Sequence, residues 1–353
     1  MTRVLRVIDT GLRPARWNVA MTAALAELHG EGRIANALRF HRYPESVLVG
    51  RHQALADAVE VGACRAFGIE IARRMSGGGA VYMAPGALAW DFVVCRRDVP
   101  AHRDAANAAI CEAIAAGLAR LGLPARYRPP GEIEVEGRKI YGSSGYFEGR
   151  TLLHQGTVLL EADIGRMAEV LKLPPDESAH KKRGLARRLV GISELLGRVP
   201  DPGAIETAVA TAIAGAFGFI LQTDAPQAQE VLLADVLFAR EMSQDSFVFD
   251  ATLPRAVRTV AGRDGVVSAY VRLHPGDECL IEQIWLTGQF EASPARAIAD
   301  LEVSLRGLPV RQAAQRALAA LSDASVRLRG TTGGSIVAAI VNAAEKQQQA
   351  GLS

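Results

Sequence analysis

The sequence predicts an α+β protein in two parts. A large domain with a mixed sheet and flanking helices comes first, and a smaller α+β domain follows it at the C-terminal end. Three observations predict this. The chain has 353 residues, more than one typical hydrophobic core organises. Strand-like runs alternate with long alanine-rich helical segments over its first part. From about Ser246 the pattern resets into new strand-like runs followed by helices. The expected domains are 1–240 and 246–353, with 225–245 as the linker.

The elements follow in order. Trp17, Met21, Leu25 and Leu28 recur at helical spacing and predict a helix over 15–29. Val47, Leu48 and Val49 read as a buried strand ending at Gly50. Val59 to Phe67 reads as a helix, and Ile69 to Arg73 as a short strand entering a glycine turn. Ala80 to Tyr82 and Ala89 to Val94 are strands joined at Pro85-Gly86. Residues 102–121 form an amphipathic helix ending at Gly122. Ile133–Val135 and Arg138–Tyr141 form a hairpin around Glu136-Gly137, and Leu152–Leu160 is a further strand. Asp201-Pro202 starts a helix over 200–217. In the second part, Val257–Val260, Val266–Leu273 and Cys279–Leu286 are strands. Helices follow from Ser293-Pro294 to Leu305, over 310–322, and over 331–353 with a fraying Gln-rich end.

Composition excludes several classes. Lys plus Arg exceed Asp plus Glu by only 2, and aromatics make up 5%, so neither a basic footprint nor a stacking platform for nucleic acid is present. Cys64, Cys95, Cys111 and Cys279 show no metal-ligand spacing and no disulfide framework. The N-terminal residues lack a signal-peptide core, and no apolar run is long enough to span a membrane. A cytoplasmic protein that binds neither nucleic acid nor membrane is expected.

Three segments carry chemistry. Residues 73–82 read Arg73-Arg74-Met75-Ser76-Gly77-Gly78-Gly79-Ala80-Val81-Tyr82. Successive glycine amides can form a concave anion site, and two arginines add forked donors. A glycine-rich turn with solvated arginines has the same sequence. The second segment is Glu136-Gly137-Arg138-Lys139-Ile140-Tyr141-Gly142-Ser143-Ser144. Here Lys139 is either an edge-strand lysine in water or an inward lysine that meets an anion. The third is Leu152-Leu153-His154-Gln155-Gly156-Thr157, where His154 is a hydrogen-bonded core residue or a pocket wall. The basic run Lys181-Lys182-Arg183 with Arg187-Arg188 is a solvated face on charge pattern alone.

Together, in order and spacing, these segments resemble the biotin/lipoate protein ligase superfamily, and specifically lipoate–protein ligases. The resemblance covers about residues 1–225, and the module over 246–322 resembles the small accessory C-terminal domain of these ligases. The basic run followed by Val190-Gly191-Ile192-Ser193-Glu194-Leu195-Leu196 is similar to a further family segment. The resemblance implies activation of lipoate with ATP to lipoyl-AMP, then transfer to a lysine of a lipoyl-acceptor domain. That acceptor is a glycine-cleavage H-like protein, a dehydrogenase acyltransferase subunit or another lipoyl carrier. It implies that Lys139 bridges the carboxylate and the α-phosphate. Arg74, Ser76, Gly77, Gly78, Gly79, Ala80, Val81 and Tyr82 hold the adenylate. Gly142, Ser143, His154, Gly156 and Thr157 line the pocket, Val49, Val81 and Leu153 suit the acyl tunnel, and Glu132 offers a carboxylate to Mg²⁺.

The chain departs from the family pattern at Met83, Ala84 and Ala87, where His, Asp and Asn are usual. It departs again at Gly131-Glu132, and at Gln155, where the family has a second histidine. Alternatives on the same fold are an octanoyltransferase, a ligase for an unusual lipoyl-bearing acceptor, and a non-catalytic lipoyl-binding or regulatory protein. The transferases use a cysteine, and none lies between 112 and 278.

Overall fold

The computed structural model describes residues 3–172, 181–249, 257–262, 265–274, 279–294 and 297–351. Two compact units divide them. One comprises Met1–Val49, Ala58–Arg73 and Ala80–Val248, and the other Gly50–Asp57, Arg74–Gly79 and Phe249–Ser353. The second unit therefore gathers two short segments from far upstream as well as the C-terminal module.

The first unit opens with β1 (Arg3–Leu12), α1 (Ala15–Gly30), β2 (Ala37–Arg42) and β3 (Ser46–Val49). After α2 (Leu55–Ala58), which belongs mostly to the second unit, come α3 (Val61–Ala66), β4 (Glu70–Arg73), β5 (Val81–Met83), β6 (Ala87–Cys95) and α4 (Arg103–Ala119). Then follow β7 (Arg126–Arg128), β8 (Glu132–Val135), β9 (Arg138–Glu148), β10 (Thr151–Leu159), the helix Pro202–Phe217 and β11 (Phe219–Asp224). Eight strands form one sheet in the order β11-β1-β2-β6-β10-β9-β8-β7. β1 runs parallel to β11 and β2, and the remaining pairs are antiparallel, so the sheet is mixed. A second sheet has the order β4-β3-β5.

β6 is buried along its whole length, which is why it reads as an almost continuous apolar run. One face of the large sheet packs Leu38, Phe40, Trp90 and Phe92 against Ile110, Ile114 and Leu118 of α4 and Ile205, Val209 and Ile213 of the helix Pro202–Phe217. Asp201 caps that helix by accepting from the Gly203 amide at 3.1 Å, Pro202 occupies its first turn, and Gly218 ends it at φ 68°.

Residues 225–245 are not a linker. Gln227 and Glu230 form a capping box for the helix Ala228–Leu237, and the chain continues through Phe238–Met242 to Asp245–Val248. The segment is anchored by wholly buried Glu230, which accepts from Arg6 Nη1 at 2.5 Å, while Arg6 Nε donates to Asp224 at 2.7 Å. A buried carboxylate needs such a partner, and the partner lies more than two hundred residues away in sequence.

In the second unit β12 (Val257–Gly262), β13 (Gly265–Leu273) and β14 (Ile281–Gly288) form an antiparallel sheet, and β15 (Glu291–Ser293) pairs with β16 (Arg327–Arg329). Helices Ala297–Leu305, Val310–Leu321 and Gly333–Gly351 close a core of Val267, Val271, Ile284, Phe290, Leu301 and Ile340.

Candidate active site

Lys139 owes its position to an irregularity. β8 and β9 form the expected hairpin, with Glu136 and Gly137 at φ 52° and 75° in the turn. The pairing then slips by one residue: Tyr141 opposes Ile133, but Lys139 opposes Glu134, leaving Ile140 as the extra residue of a bulge. Ile140 and Tyr141 are both wholly buried in the core. Strand alternation is thereby reset, and Lys139 lies on the face opposite Tyr141. Its ammonium donates to Glu132 Oε1 at 2.8 Å, and both side chains are about one-third exposed (33% and 34%). The Lys139 tip folds over Gly142, where a Cβ would stand 2.9 Å from Cε and Nζ. The lysine is thus half-buried and ion-paired, neither an immersed cation nor a free edge lysine. Its carbonyl accepts from the Val190 amide at 3.1 Å, which joins the lysine strand to the end of the basic segment. That segment is the helix Lys181–Arg188; residues 173–180 lie outside the described residues.

The other residues sort by face. Thr157 opposes Gly142, and Gln155 opposes Ser144, so these side chains share the lysine's face. Gln155 Nε2 donates to Asp91 Oδ1 at 3.1 Å. Asp91 is fully buried, 3.5 Å from Arg39, and accepts from Thr22 at 2.8 Å. Burial raises the Asp91 carboxyl above the usual carboxylate range, and Arg39, Thr22 and Gln155 oppose that shift. Ser143, His154 and Gly156 occupy the other face. Ser143 Oγ donates to the Gly131 carbonyl at 2.9 Å, and His154 shares a 2.9 Å hydrogen bond with the Tyr141 hydroxyl. A Cβ on Gly156 would meet Trp90 and Tyr141. Cys111 is also on that side, buried, 3.7 Å from Ser143 Oγ. His154 is therefore a hydrogen-bonded core residue here.

The glycine segment is divided between the units. Arg73 is buried and donates to the carbonyls of Phe247 and Val248 at 3.1 and 2.9 Å. Arg74 and Ser76 are buried; Arg74 Nη2 donates to the carbonyls of Gly77 and Gly79 at 2.7 and 2.8 Å, bracing its own loop. The Gly78 amide, at φ 91°, donates to the Phe290 carbonyl at 3.2 Å. A Cβ on Gly77 would stand 2.0 Å from the same oxygen. The close approach that makes glycine necessary at Gly77 is thus met by the C-terminal module. Ala80 precedes β5, where Val81 is exposed and Tyr82 is buried with its hydroxyl donating to Glu45. Burial and that carboxylate push the Tyr82 hydroxyl pKa well up.

Among the described residues no three His, Cys, Asp or Glu side chains gather as a metal site. A single carboxylate, Glu132, beside a lysine suits Mg²⁺ that keeps waters and substrate phosphates as its other ligands. The residues at this face that lie outside the three motif segments are Arg39 and Asp91, with Thr22 of α1 behind Asp91. Asp91, a lone charge inside the apolar run Ala87–Cys95, was a visible signal.

The model for the lipoyl protein ligase A/B catalytic domain matches residues 14–214. The chain belongs to that family. It is similar to octanoyltransferase LipM of Symbiobacterium thermophilum, 29% identical over 242 residues, covering 61% of this chain and 87% of the relative. A crystal structure of lipoate-protein ligase A bound with ATP aligns with TM-score 0.61 at 24% identity, over 70% of this chain and 98% of that one. LipL1 of P. falciparum in complex with lipoate aligns with TM-score 0.73 at 14% identity, over 99% and 100%. These structural likenesses show the fold, and the family makes the chain an enzyme of the lipoate ligase and octanoyltransferase superfamily. No helix among the described residues is long and apolar enough to cross a membrane.

Proposed function

We propose that this chain is a lipoate–protein ligase: it activates lipoate with ATP to lipoyl-AMP and transfers the lipoyl group to a lysine of an acceptor carrier domain. The observation that carries the reading is the Lys139 ammonium, turned out of the core by the bulge and held over Gly142 by Glu132. A carboxylate and a triphosphate repel each other, and a fixed cation between them lowers the barrier to their reaction. When the substrates bind, Lys139 exchanges its pairing with Glu132 for the carboxylate and the α-phosphate. Glu132, freed of that pairing, would be the carboxylate to hold Mg²⁺, and the ion would supply neutralisation of phosphate charge. Thr157 and Ser144 line the same face, and Leu153, on the Gln155 side of β10, offers apolar wall to the acyl chain.

A second reading, octanoyl transfer from a carrier, draws support from the LipM likeness. It needs a thiol at the acyl site. Cys111 is buried on the opposite face of the sheet. Cys95 shares the Leu153–Gln155 face but is buried at its far end, opposite Thr151. Cys64 is buried in α3, and Cys279 is a partly exposed residue of the second unit. The test is incubation with ATP and lipoate, octanoate or biotin, followed by mass spectrometry for acyl-AMP. The ligase reading expects lipoyl-AMP. Its absence, together with octanoyl transfer from an octanoylated carrier, overturns that reading.

A further inference from the structure

The lysine's face carries a second set of polar groups that activation of the acid leaves without a task. Arg39 on β2 opposes Asp91 on β6, Asp91 opposes Gln155 on β10, and Gln155 opposes Ser144 on β9. Four adjacent strands thus contribute one polar row at one level. Gln155 is the diagonal neighbour of Gly142, over which Lys139 folds, a separation of roughly 7–8 Å in a sheet.

The row is anchored at its deep end. Arg39 and Asp91 are both 0% exposed. Arg39 Nη2 donates to Asn18 Oδ1 at 2.9 Å, and Arg39 Nε meets no partner among the described residues. A buried ion pair with an orphaned donor is not what stability alone selects, because apolar residues of similar volume often do as well or better. What the pair supplies is orientation. Asp91 accepts from Gln155 Nε2 and from Thr22, which fixes the sense of the Gln155 amide. With its nitrogen on Asp91, the amide turns its oxygen, an acceptor, away from that carboxylate.

We propose that Gln155 receives the nucleophile of the second half-reaction: its amide oxygen accepts a hydrogen bond from the amine of the acceptor lysine, and Asp91 is the positioning residue behind it. The proposal rests on the acyl-transfer reading of the Lys139 face. The acceptor ammonium gives one proton to solvent. The neutral nitrogen then bonds to the acyl carbonyl carbon, and the bond from that carbon to the adenylate oxygen breaks with its electron pair leaving on AMP. The second amine proton passes to water. Gln155 takes no proton; it aligns the N–H so that the lone pair faces the carbonyl.

The test separates the half-reactions in the full-length protein. Acyl-AMP formation is followed by pyrophosphate release without acceptor. Transfer is followed in single turnovers from preformed acyl-AMP, to an acceptor domain and, separately, to hydroxylamine, which needs no alignment. Gln155→Ala is expected to retain acyl-AMP formation within about threefold. It should slow transfer to the protein lysine about 30- to 100-fold through kcat, and leave the hydroxylamine reaction near wild type. Asp91→Asn should follow in the same direction, about tenfold. Unchanged protein transfer in Gln155→Ala, or an equal fall in both half-reactions and with hydroxylamine, overturns the proposal. If the wild-type protein makes no acyl-AMP, the ligase reading fails on its own. Transfer is then measured from an octanoyl thioester on a carrier protein, where the same selective loss in Gln155→Ala is expected and its absence is again decisive against Gln155.

Discussion

Replacing Gly142 by alanine tests how the lysine is held. A Cβ there would lie 2.9 Å from both Cε and Nζ of Lys139, against an ordinary contact of 3.4–4 Å. The obstructed group is the end of a flexible chain, so the fold has little to lose, and thermal unfolding should change by no more than about 0.5 kcal/mol. The ammonium must nevertheless move by about 0.5–1 Å, and misplacement of that size costs up to about 10²-fold in rate, equivalent to about 2.7 kcal/mol of barrier. Single-turnover formation of lipoyl-AMP should therefore fall about 10- to 100-fold. The decisive measurement is the double variant. In a Lys139→Ala background, Gly142→Ala should add nothing, because the group it displaces is gone. A wild-type rate in Gly142→Ala, or an undiminished further loss in the double variant, would refute the claim that this glycine acts through the lysine.

Other outcomes follow from the same geometry. Lys139→Ala should lower lipoyl-AMP formation at least about 10²-fold with an unchanged circular dichroism spectrum and melting curve; wild-type turnover would remove the lysine from the mechanism. Glu230→Ala strands Arg6, 4% exposed, with Asp224 as its remaining carboxylate, and should cost about 3 kcal/mol in denaturant unfolding. A cost under 0.5 kcal/mol would show that segment 225–245 is not anchored there. Glu302, which accepts from the Leu286 amide at 2.7 Å, has its carboxyl raised by burial to about 7, against 4.5 when unfolded. The folded state then binds the extra proton between these values, so stability falls as pH rises through that window, by roughly 3 kcal/mol in all. Glu302→Gln should flatten that slope and raise the melting temperature above pH 7, and an unaltered pH profile would contradict the assignment.

What the sequence revealed depended on the range of the interactions involved. The helix over 202–217 was readable because Asp201-Pro202 and Gly218 mark its ends locally, and the Glu136-Gly137 hairpin because its turn needs two left-handed residues. β1, β2 and β11 were missed. β1 alternates charge with apolar residues and pairs with strands that close only through distant segments, one of them at 219–224. The same distance hid Glu230, whose role is visible only once Arg6 lies beside it. At the proposed site, the motifs pointed to Lys139, Glu132, Gly142 and Thr157 as candidates, which the structure sets on one face, but not to the partition of residues between faces. A simple alternation puts Lys139 with Tyr141 and Ser143; the bulge at Ile140 reverses it, and nothing in the local residue types announces a bulge. His154 and Gln155 are adjacent, so only one could face the lysine, and the chain gives that place to Gln155.

The membership of Arg74–Gly79 in the second unit has a practical reach. Gly78 gives its amide to Phe290, Gly77 abuts that residue's carbonyl, and the His52 ring stacks on the Phe290 ring at 5.1 Å. A scissor cut after Val248 would not release a tidy catalytic fragment. It would leave the triple-glycine bend without its backbone acceptor and strip His52 of its aromatic neighbour. Truncation, fission into separate genes or proteolytic trimming at this point is expected to yield a crippled piece that regains order only when the missing C-terminal portion is added back in trans.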